Sequence, residues 1–316
     1  MNKRRMLRVF LAVLLLLAAA AAVLAAGFAA KLVYDNITDG IYRVEEQVGK
    51  IEKRVAAIEK TTSTLTSHYL FDYAWVETSP LIAHAGGGIG ESVYTNTPEA
   101  FAANYALGHR VFELDFDLTA DDCLVSSHSE GKWRSLTGAG ADVPYTGENV
   151  LASSIAGLYR TMDYKEAIDL LSTYPDVYLI TDTKYYDSTS VFLQFSQLVR
   201  YAMNTAPEVL DRIIPQIYQE EMLDWVMAVY PFRSVIFTLY RAKWTPDSLV
   251  DFCGRSGVGF ITMPCASFTP EIAAKLKPYG IRIGVHTTSS KEDADAFYQN
   301  GVDMIYTDFL TPDLFP

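Results

Sequence analysis

The sequence predicts an α/β protein whose main domain, residues 68–316, is a (β/α)8 (TIM) barrel. From Leu81 onward, short apolar runs rich in β-branched residues alternate with segments of helical periodicity. Eight such runs can be counted, and polar residues recur where the runs end. Eight strands with intervening helices favour a closed parallel barrel over an open sheet.

The strands and helices of this barrel can be placed along the chain. The strands are predicted at 80–84, 110–117, 176–183, 212–217, 234–239, 258–263, 281–286 and 302–307. The helices are predicted at 97–107, 164–173, 189–204, 219–229, 246–254, 270–278 and 291–300. Two helices begin with a Thr-Pro-Glu start signal, at Thr97 and Thr269.

The segment that follows the second strand departs from the barrel pattern. Residues 122–128 follow that strand too closely for a helical crossover, so we expect them to return as a hairpin. Residues 130–162 form a long insertion, and insertions of that length are often lids or binding loops. Its aromatic residues Trp133, Tyr145 and Tyr159 either cover a substrate or attach the insertion to the barrel.

Residues 1–34 are expected to form a cytoplasmic basic cluster and a transmembrane signal anchor. The basic cluster, from Lys3 to Arg8, precedes an uncharged run from Val9 to Ala30. A membrane-spanning helix needs about 20 apolar residues, and positive charge stays on the cytoplasmic side. A cleaved signal peptide is one alternative and a buried helix of a soluble protein is the other. With an anchor or a signal peptide, the barrel would lie outside the cytoplasm, at the cell membrane as a single-pass protein if the anchor is retained.

Residues 35–67 carry a heptad pattern that predicts an amphipathic stalk. Ile41, Val48, Val55 and Thr62 occupy the a positions, and Val44, Ile51, Ile58 and Leu65 occupy the d positions. Two interpretations remain open. The segment forms a parallel coiled coil that makes the chain a homo-oligomer, or it is a single helix docked on its own barrel.

Charge and cysteine content exclude some classes of protein. The net charge is −12, and all the acidic residues follow residue 34. An acidic surface of this kind is a poor partner for a phosphate backbone, so nucleic acid is not an expected partner. The three cysteines form no disulfide framework. We expect them to be small buried side chains, with a Cys253–Cys265 disulfide as the alternative.

Carboxylates at the strand ends predict a metal site. Glu113 and Asp115 lie two residues apart on one strand, so they point to the same face. Asp182 ends the neighbouring strand. Inward-facing carboxylates are costly unless a cation pairs with them, and an all-oxygen set suits Ca²⁺ or Mg²⁺. The alternative is that lysine or arginine neutralises them.

Histidine and lysine side chains around this set point to phosphodiester chemistry. His84 ends the first strand, and His128 approaches it if 122–128 folds back. Histidines titrate near neutral pH and can exchange protons with a nucleophile and a leaving group. Lys184 would bind the phosphate, and His286 is a further candidate donor to it. His68 and His109 have no companions and are expected at the surface.

In order along the chain, these residues resemble the glycerophosphodiester phosphodiesterase family, within the phosphatidylinositol-specific phospholipase C-like barrels. The resemblance covers about residues 80–316, and the matching stretches are His84-Ala85-Gly86, Thr95-Asn96-Thr97, Glu113-Leu114-Asp115, His128-Ser129, Asp182-Thr183-Lys184, His286-Thr287 and Thr307-Asp308. It implies His84 and His128 as the acid–base pair. It implies Glu113, Asp115 and Asp182 as ligands of Ca²⁺ or Mg²⁺, and Lys184 as the phosphate-binding residue.

Three positions depart from the pattern of the resembled family. Ala85 replaces the usual arginine, Asp182 replaces a glutamate, and His286 replaces a tryptophan. These changes leave the substrate open among glycerophosphodiesters, lipid headgroups and a glycerol-phosphate polymer. Similarity to sphingomyelinase D-like barrels keeps a lipid phosphodiesterase as an alternative. A catalytically silent anchored barrel that serves as a binding module and a glycosidase on the same fold are the other classes considered.

Overall fold

A computed structural model describes residues 69–240 and 244–315. The predicted anchor (1–34), the predicted stalk (35–67) and His68 lie outside the described residues. Within the described ranges, no helix has both the length and the apolar character needed to cross a membrane.

Eight parallel strands close into a barrel, which confirms the predicted fold. In spatial order around the barrel they run β1, β12, β11, β10, β9, β8, β7 and β2. Their bounds are β1 Leu81–Ala83, β2 Val111–Asp115, β7 Tyr178–Asp182, β8 Ile213–Ile217, β9 Ile236–Thr238, β10 Phe260–Pro264, β11 Arg282–His286 and β12 Met304–Thr307. Each lies within one of the predicted strands, except that β10 extends one residue further, to Pro264.

Helices connect these strands on the outside of the barrel. They are α1 Pro98–Ala106, α2 Glu130–Thr137, α3 Gly147–Leu151, α4 Tyr164–Thr173, α5 Ser188–Thr205, α6 Glu220–Val229, α7 Pro246–Ser256, α8 Pro270–Leu276 and α9 Lys291–Gln299. The two predicted start signals act as caps. The side chain of Thr97 accepts a hydrogen bond from Ala100 N, and that of Thr269 accepts one from Ile272 N.

A short 3-10 helix, Ala74–Thr78, packs against residues at the amino ends of the strands. Its Trp75 is 2% exposed and packs against Phe260 with tilted rings whose centroids are 5.2 Å apart, and its Nε1 donates to Ser234 Oγ at 3.0 Å. The hydroxyl of Tyr73 donates to Val235 O and accepts from Gly259 N, both at 2.8 Å. Side chains from this segment therefore fill the amino end of the barrel, and the polar strand ends lie at the other.

The chain after β2 folds back as predicted. Strand β3 (Asp117–Leu118) pairs antiparallel with β4 (Leu124–Val125), and a second hairpin, β5 (Ser154–Ile155) with β6 (Tyr159–Arg160), follows in the insertion. Trp133 and Tyr145 are buried in a cluster with Val125 and Val150. Both rings therefore attach the insertion to the hairpin, and only Tyr159 remains half-exposed.

Two expectations from the sequence need correction. His109, expected at the surface, is 1% exposed, and its Nε2 lies 3.0 Å from Leu310 O. A residue 201 positions away covers it, which the local sequence does not show. All three cysteines are free, so the alternative of a Cys253–Cys265 disulfide is not realised. Cys253 is buried as expected, whereas Cys123 and Cys265 are only half-buried.

Candidate active site

Three carboxylates meet at the carboxyl ends of β2 and β7. These strands pair in parallel with Asp115 opposite Asp182, and Glu113 lies two residues earlier on the same face. Each of the three offers an oxygen within 4.8 Å of the others. Glu113 and Asp115 are 2% and 1% exposed. The barrel thus brings together the three residues predicted as metal ligands, with Glu113 and Asp115 buried and Asp182 half-buried.

The segment after β1 donates hydrogen bonds to two of these carboxylates, Glu113 and Asp115, at one oxygen of each. The backbone N–H of Ala85 donates to Glu113 Oε2 at 2.8 Å. The side chain of Asn96 donates to Asp115 Oδ2 at 2.9 Å and accepts from the Asp115 backbone N–H at 2.9 Å. Ala85 and Asn96 both have left-handed backbone angles, with φ of 50° and 51°. Asparagine tolerates that conformation well, which explains why asparagine occupies position 96. In the sequence, only the family resemblance marked this residue.

Lys184 lies between two of the three carboxylates. Its Nζ is 2.8 Å from Asp115 Oδ1 and 2.5 Å from Asp182 Oδ2. Burial opposes the charge on the ammonium, but the neighbouring carboxylates outweigh it and raise the pKa of Lys184. The alternative in which a lysine neutralises the carboxylates is therefore partly realised, with one lysine for three acids.

Two carboxylate oxygens remain without a partner, and they test whether the site fits a cation. Glu113 Oε1 and Asp182 Oδ1 are buried and make no hydrogen bond within the described residues. Burial, together with the charge of Asp115, raises the pKa of Glu113 to about 8. Unpaired buried carboxylate oxygens are costly, and a hard divalent cation satisfies them directly. The donor set therefore fits a hard divalent cation.

His84 and His128 line the same cleft but have different partners. His84 Nδ1 lies 2.8 Å from Asp308 Oδ1. Burial disfavours the charged form of His84, but the Asp308 hydrogen bond and the Glu113 carboxylate outweigh it and raise the pKa to about 9. His128 Nδ1 has no hydrogen-bond partner among the described residues, and burial lowers the pKa of His128.

Tyr94 contacts both histidines, and no motif in the sequence marks it. Its ring meets His84 edge-on at a centroid distance of 4.6 Å and His128 at 5.4 Å. Lys132, on α2 of the insertion, places its Nζ 4.4 Å from the centre of the same ring. The loop after β1 and the insertion therefore pack together around the histidine pair.

The cleft continues across the barrel onto a wall without charged side chains among the described residues. The cleft as a whole has a volume of ≈ 200 Å³. The residues of this wall come from β8, β9, β11 and β12 and from the positions just after these strands: Gln216, Tyr218, Thr238, Tyr240, His286, Thr287 and Tyr306. His286 thus shares the cleft with Lys184. Burial, followed by the charges of His84 and Lys184, lowers the pKa of His286 to about 4, so its ring is neutral near pH 7.

Comparison with known proteins finds similarity in structure alone. No family model matches the chain, and no curated protein matches it. A glycerophosphodiester phosphodiesterase from Parabacteroides distasonis superposes with a TM-score of 0.60 at 17% identity, covering 75% of this chain and 94% of that one. An Oleispira antarctica phosphodiesterase in complex with the product sn-glycerol-3-phosphate gives 0.61 at 16%, covering 74% and 95%. A glycerophosphodiester phosphodiesterase from Thermotoga maritima gives 0.56 at 19%, covering 73% and 94%. At these identities the likeness is one of fold, and the barrel accounts for nearly the whole of each neighbour.

Proposed function

We propose that this chain is a metal-dependent phosphodiester hydrolase that acts on glycerophosphodiesters or on related lipid-headgroup and glycerol-phosphate substrates. The observation that carries the proposal is the trio Glu113, Asp115 and Asp182, with two unpaired oxygens, beside His84 and His128 in one cleft. The fold likeness to phosphodiesterases, one of them bound to sn-glycerol-3-phosphate, supports it.

Glu113, Asp115 and Asp182 would hold Ca²⁺ or Mg²⁺. A bound divalent cation would polarise the phosphoryl oxygens and neutralise charge that develops on them. The charges of the site are consistent with one such ion. Four carboxylates, these three and Asp308, stand against Lys184 and His84, so the group carries two excess negative charges when both bases are protonated and all four acids, including Glu113, are ionised, as a bound cation would favour.

The two histidines would divide the proton transfers. His84 holds Asp308 through Nδ1, an arrangement that stabilises an imidazolium and leaves Nε2 to donate a proton to the leaving alkoxide. His128 has no carboxylate partner among the described residues, so it suits the role of the base that deprotonates the nucleophile. The difference in partners, rather than the residue type, supports this assignment.

Lys184 would contribute the positive charge closest to the phosphate. Ala85 stands where the resembled family has an arginine, and it is fully buried. Lys184 is 29% exposed at the side chain, so its ammonium can reach a ligand in the cleft while it remains within contact of Asp115. His286 would add a neutral donor from the opposite wall.

The cellular setting is part of the proposal. The anchor expected at residues 1–34 would retain the enzyme at the membrane with the barrel outside the cytoplasm, and the stalk at 35–67 would assemble it into a homo-oligomer. An enzyme in that position would meet lipid headgroups and glycerol-phosphate polymers. The acidic composition agrees with a partner other than nucleic acid.

The experiment is turnover of bis-p-nitrophenyl phosphate by the whole chain, stripped of metal and then supplied with Ca²⁺ or Mg²⁺. We expect chelation to abolish hydrolysis and the cation to restore it. Glu113→Gln should weaken cation affinity measured by calorimetry, while Glu208→Gln, an exposed acid outside the cleft, should change nothing. Full activity in excess chelator would refute the metal-dependent mechanism. Cation binding without turnover of any diester would instead favour the silent binding module.

A further inference from the structure

His84 and His128 are held in different ways, although both are proposed to transfer protons. His84 Nδ1 lies 2.8 Å from Asp308 Oδ1, and this contact fixes the orientation of the His84 ring. His128 Nδ1 is buried and makes no hydrogen bond within the described residues. A histidine that exchanges protons with a substrate needs a fixed ring, so packing must supply for His128 what a carboxylate supplies for His84.

The ring of Tyr94 is a packing contact that the two histidines share. It meets the His128 ring at an interplanar angle of 88° and the His84 ring at 83°, with centroid distances of 5.4 and 4.6 Å. Edge-to-face contacts of this kind are directional, because the positive edge of one ring meets the negative face of the other. Tyr94 therefore restricts how far the His128 ring can turn within the cleft.

The backbone at Tyr94 has a conformation that residues with a Cβ rarely adopt. Its φ is 60°, in the left-handed region, where Cβ crowds the following carbonyl oxygen. Tyrosine lacks the short polar side chain that lets Asn96 tolerate this conformation two residues later. Non-glycine residues persist in this region where the surrounding structure determines them, and they concentrate at active sites. The fold thus tolerates a steric penalty that places the Tyr94 ring against both histidines.

Lys132 contacts the same ring from the insertion. It lies on α2, and its Nζ is 4.4 Å from the centre of the Tyr94 ring. Among the described residues no carboxylate lies within ion-pair distance of Lys132, although the chain has 38 acidic residues. Attraction to the negative face of the ring is therefore the interaction that the structure gives this ammonium. The insertion thus reaches the histidine pair through Tyr94.

We propose that Tyr94 is a positioning residue for His128, and that Lys132, through the Tyr94 ring, makes the insertion part of the catalytic unit. The proposal rests on the phosphodiesterase function proposed above. Tyr94 acts on the orientation of the base and not on the binding of the substrate. Its loss should therefore lower kcat and kcat/KM together and leave KM unchanged.

The test follows hydrolysis of bis-p-nitrophenyl phosphate by the whole chain with saturating Ca²⁺ or Mg²⁺. Because p-nitrophenolate leaves without needing a proton, this substrate depends on the base, His128, more than on the acid, His84. Tyr94→Leu removes the ring and should lower kcat at least about tenfold, part of the roughly 10²–10⁴ that a positioned acid or base contributes, while KM changes by less than about twofold. Tyr94→Phe keeps the ring and should retain at least about half of the wild-type kcat.

Variants of Lys132 test whether it acts through the ring. Lys132→Met should lower kcat about threefold, the size expected of a half-buried cation–π contact, and Lys132→Arg, which keeps a cation over the ring, should not. In the Tyr94→Leu background, Lys132→Met should have no further effect. The matched control is Lys165→Met, which removes a cation 5.6 Å from the centre of the Tyr164 ring, outside the cleft, and should leave kcat unchanged.

An unchanged kcat in Tyr94→Leu would overturn the proposal, and so would an equal loss in Tyr94→Phe, which would make the hydroxyl the active group. Weaker cation binding by Tyr94→Leu in calorimetry, in parallel with the loss of kcat, would show that Tyr94 acts on Asp115 through Asn96 instead. An additive effect of Lys132→Met in the double variant would mean that the lysine acts on its own.

The Lys132 variants decide the question if Tyr94→Leu does not fold. A loss of kcat in Lys132→Met that Lys132→Arg does not share would support the proposal, and an unchanged kcat in Lys132→Met would overturn it. Absence of hydrolysis by the wild-type chain would refute the proposed function itself, and the positioning role with it.

Discussion

Replacement of Lys184 by methionine separates its contacts with two carboxylates, which the structure shows, from its proposed role in phosphate binding. Methionine keeps much of the length of the side chain but removes the ammonium that contacts Asp115 at 2.8 Å and Asp182 at 2.5 Å. Without added metal, Asp115 and Asp182 would then lose the cation that neutralises them, although the hydrogen bond from Asn96 to Asp115 would remain. Removal of one member of a buried ion pair typically costs about 3–5 kcal/mol, and we expect the lower end because Glu113 can hold a proton.

A divalent cation should return much of that stability without restoring activity. At about 100 times its dissociation constant, a ligand stabilises the folded state by about 2.7 kcal/mol. Loss of one preorganised charge-stabilising donor lowers the rate by roughly 10²–10³. In saturating Ca²⁺ we therefore expect the free energy of unfolding of Lys184→Met to approach that of the wild type without added metal. Its kcat/KM on the best substrate should stay reduced by roughly 10²–10³.

The matched control is Lys277→Met, which breaks the ion pair with Asp303 outside the cleft. It should lower the free energy of unfolding and leave kcat/KM unchanged. A loss of less than about tenfold for Lys184→Met at saturating cation, equivalent to about 1.4 kcal/mol, would refute the phosphate-binding role. Lys184 would then be only the structural partner of Asp115 and Asp182.

Three further predictions concern His84, His109 and the segment before the barrel. Asp308→Asn removes the carboxylate at His84 Nδ1, so we expect kcat/KM to fall at least about 10²-fold. Because a general acid must be protonated, the decline of kcat/KM at high pH should also begin at a lower pH than in the wild type. An unchanged pH profile would contradict this. His109 has a pKa lowered to about 4 by burial, below its unfolded value of about 6.5, so the folded state should lose up to roughly 3 kcal/mol as the pH falls through that window. Urea denaturation of His109→Gln should lack this component, and equal pH dependence in both proteins would exclude it. Lysine at Ile51 and Ile58 should dissociate an oligomer of the whole chain in light scattering, whereas unchanged mass, or a wild-type monomer, would reject the coiled coil.

The barrel could be predicted because its strands are buried on both faces. Strands of that kind appear in the sequence as short β-branched runs, and the helices between them show their own period and caps. Thr97 and Thr269 cap helices where the sequence placed them. The insertion was harder, because its aromatic residues are compatible with either substrate contact or packing. Only the contacts of Trp133 and Tyr145 with Val125 and Val150 distinguish the two.

His109 shows where single-sequence reasoning fails. A histidine without companions has no local feature that distinguishes a surface position from a buried one. Its burial depends on Leu310, whose carbonyl arrives from the far end of the chain after β12 closes the barrel against β1. This contact forms only because the barrel closes, so the residues near His109 in the sequence do not predict it.

The same reasoning explains why the charged side of the cleft could be predicted, whereas the opposite wall, apart from His286, could not. Glu113, Asp115 and Asp182 are conspicuous because an inward-facing charge in an apolar strand is costly and therefore needs a function. Tyr218 carries no such cost in the sequence, because a tyrosine after a strand is compatible with an ordinary core. Its hydroxyl becomes informative only when the folded structure leaves it buried, beside Gln216 and without a partner among the described residues. Charged residues in apolar strands thus indicate the chemistry of a site from the sequence alone. The neutral residues that line the rest of the cleft are identified only in the folded structure, where a buried polar group without a partner can be seen.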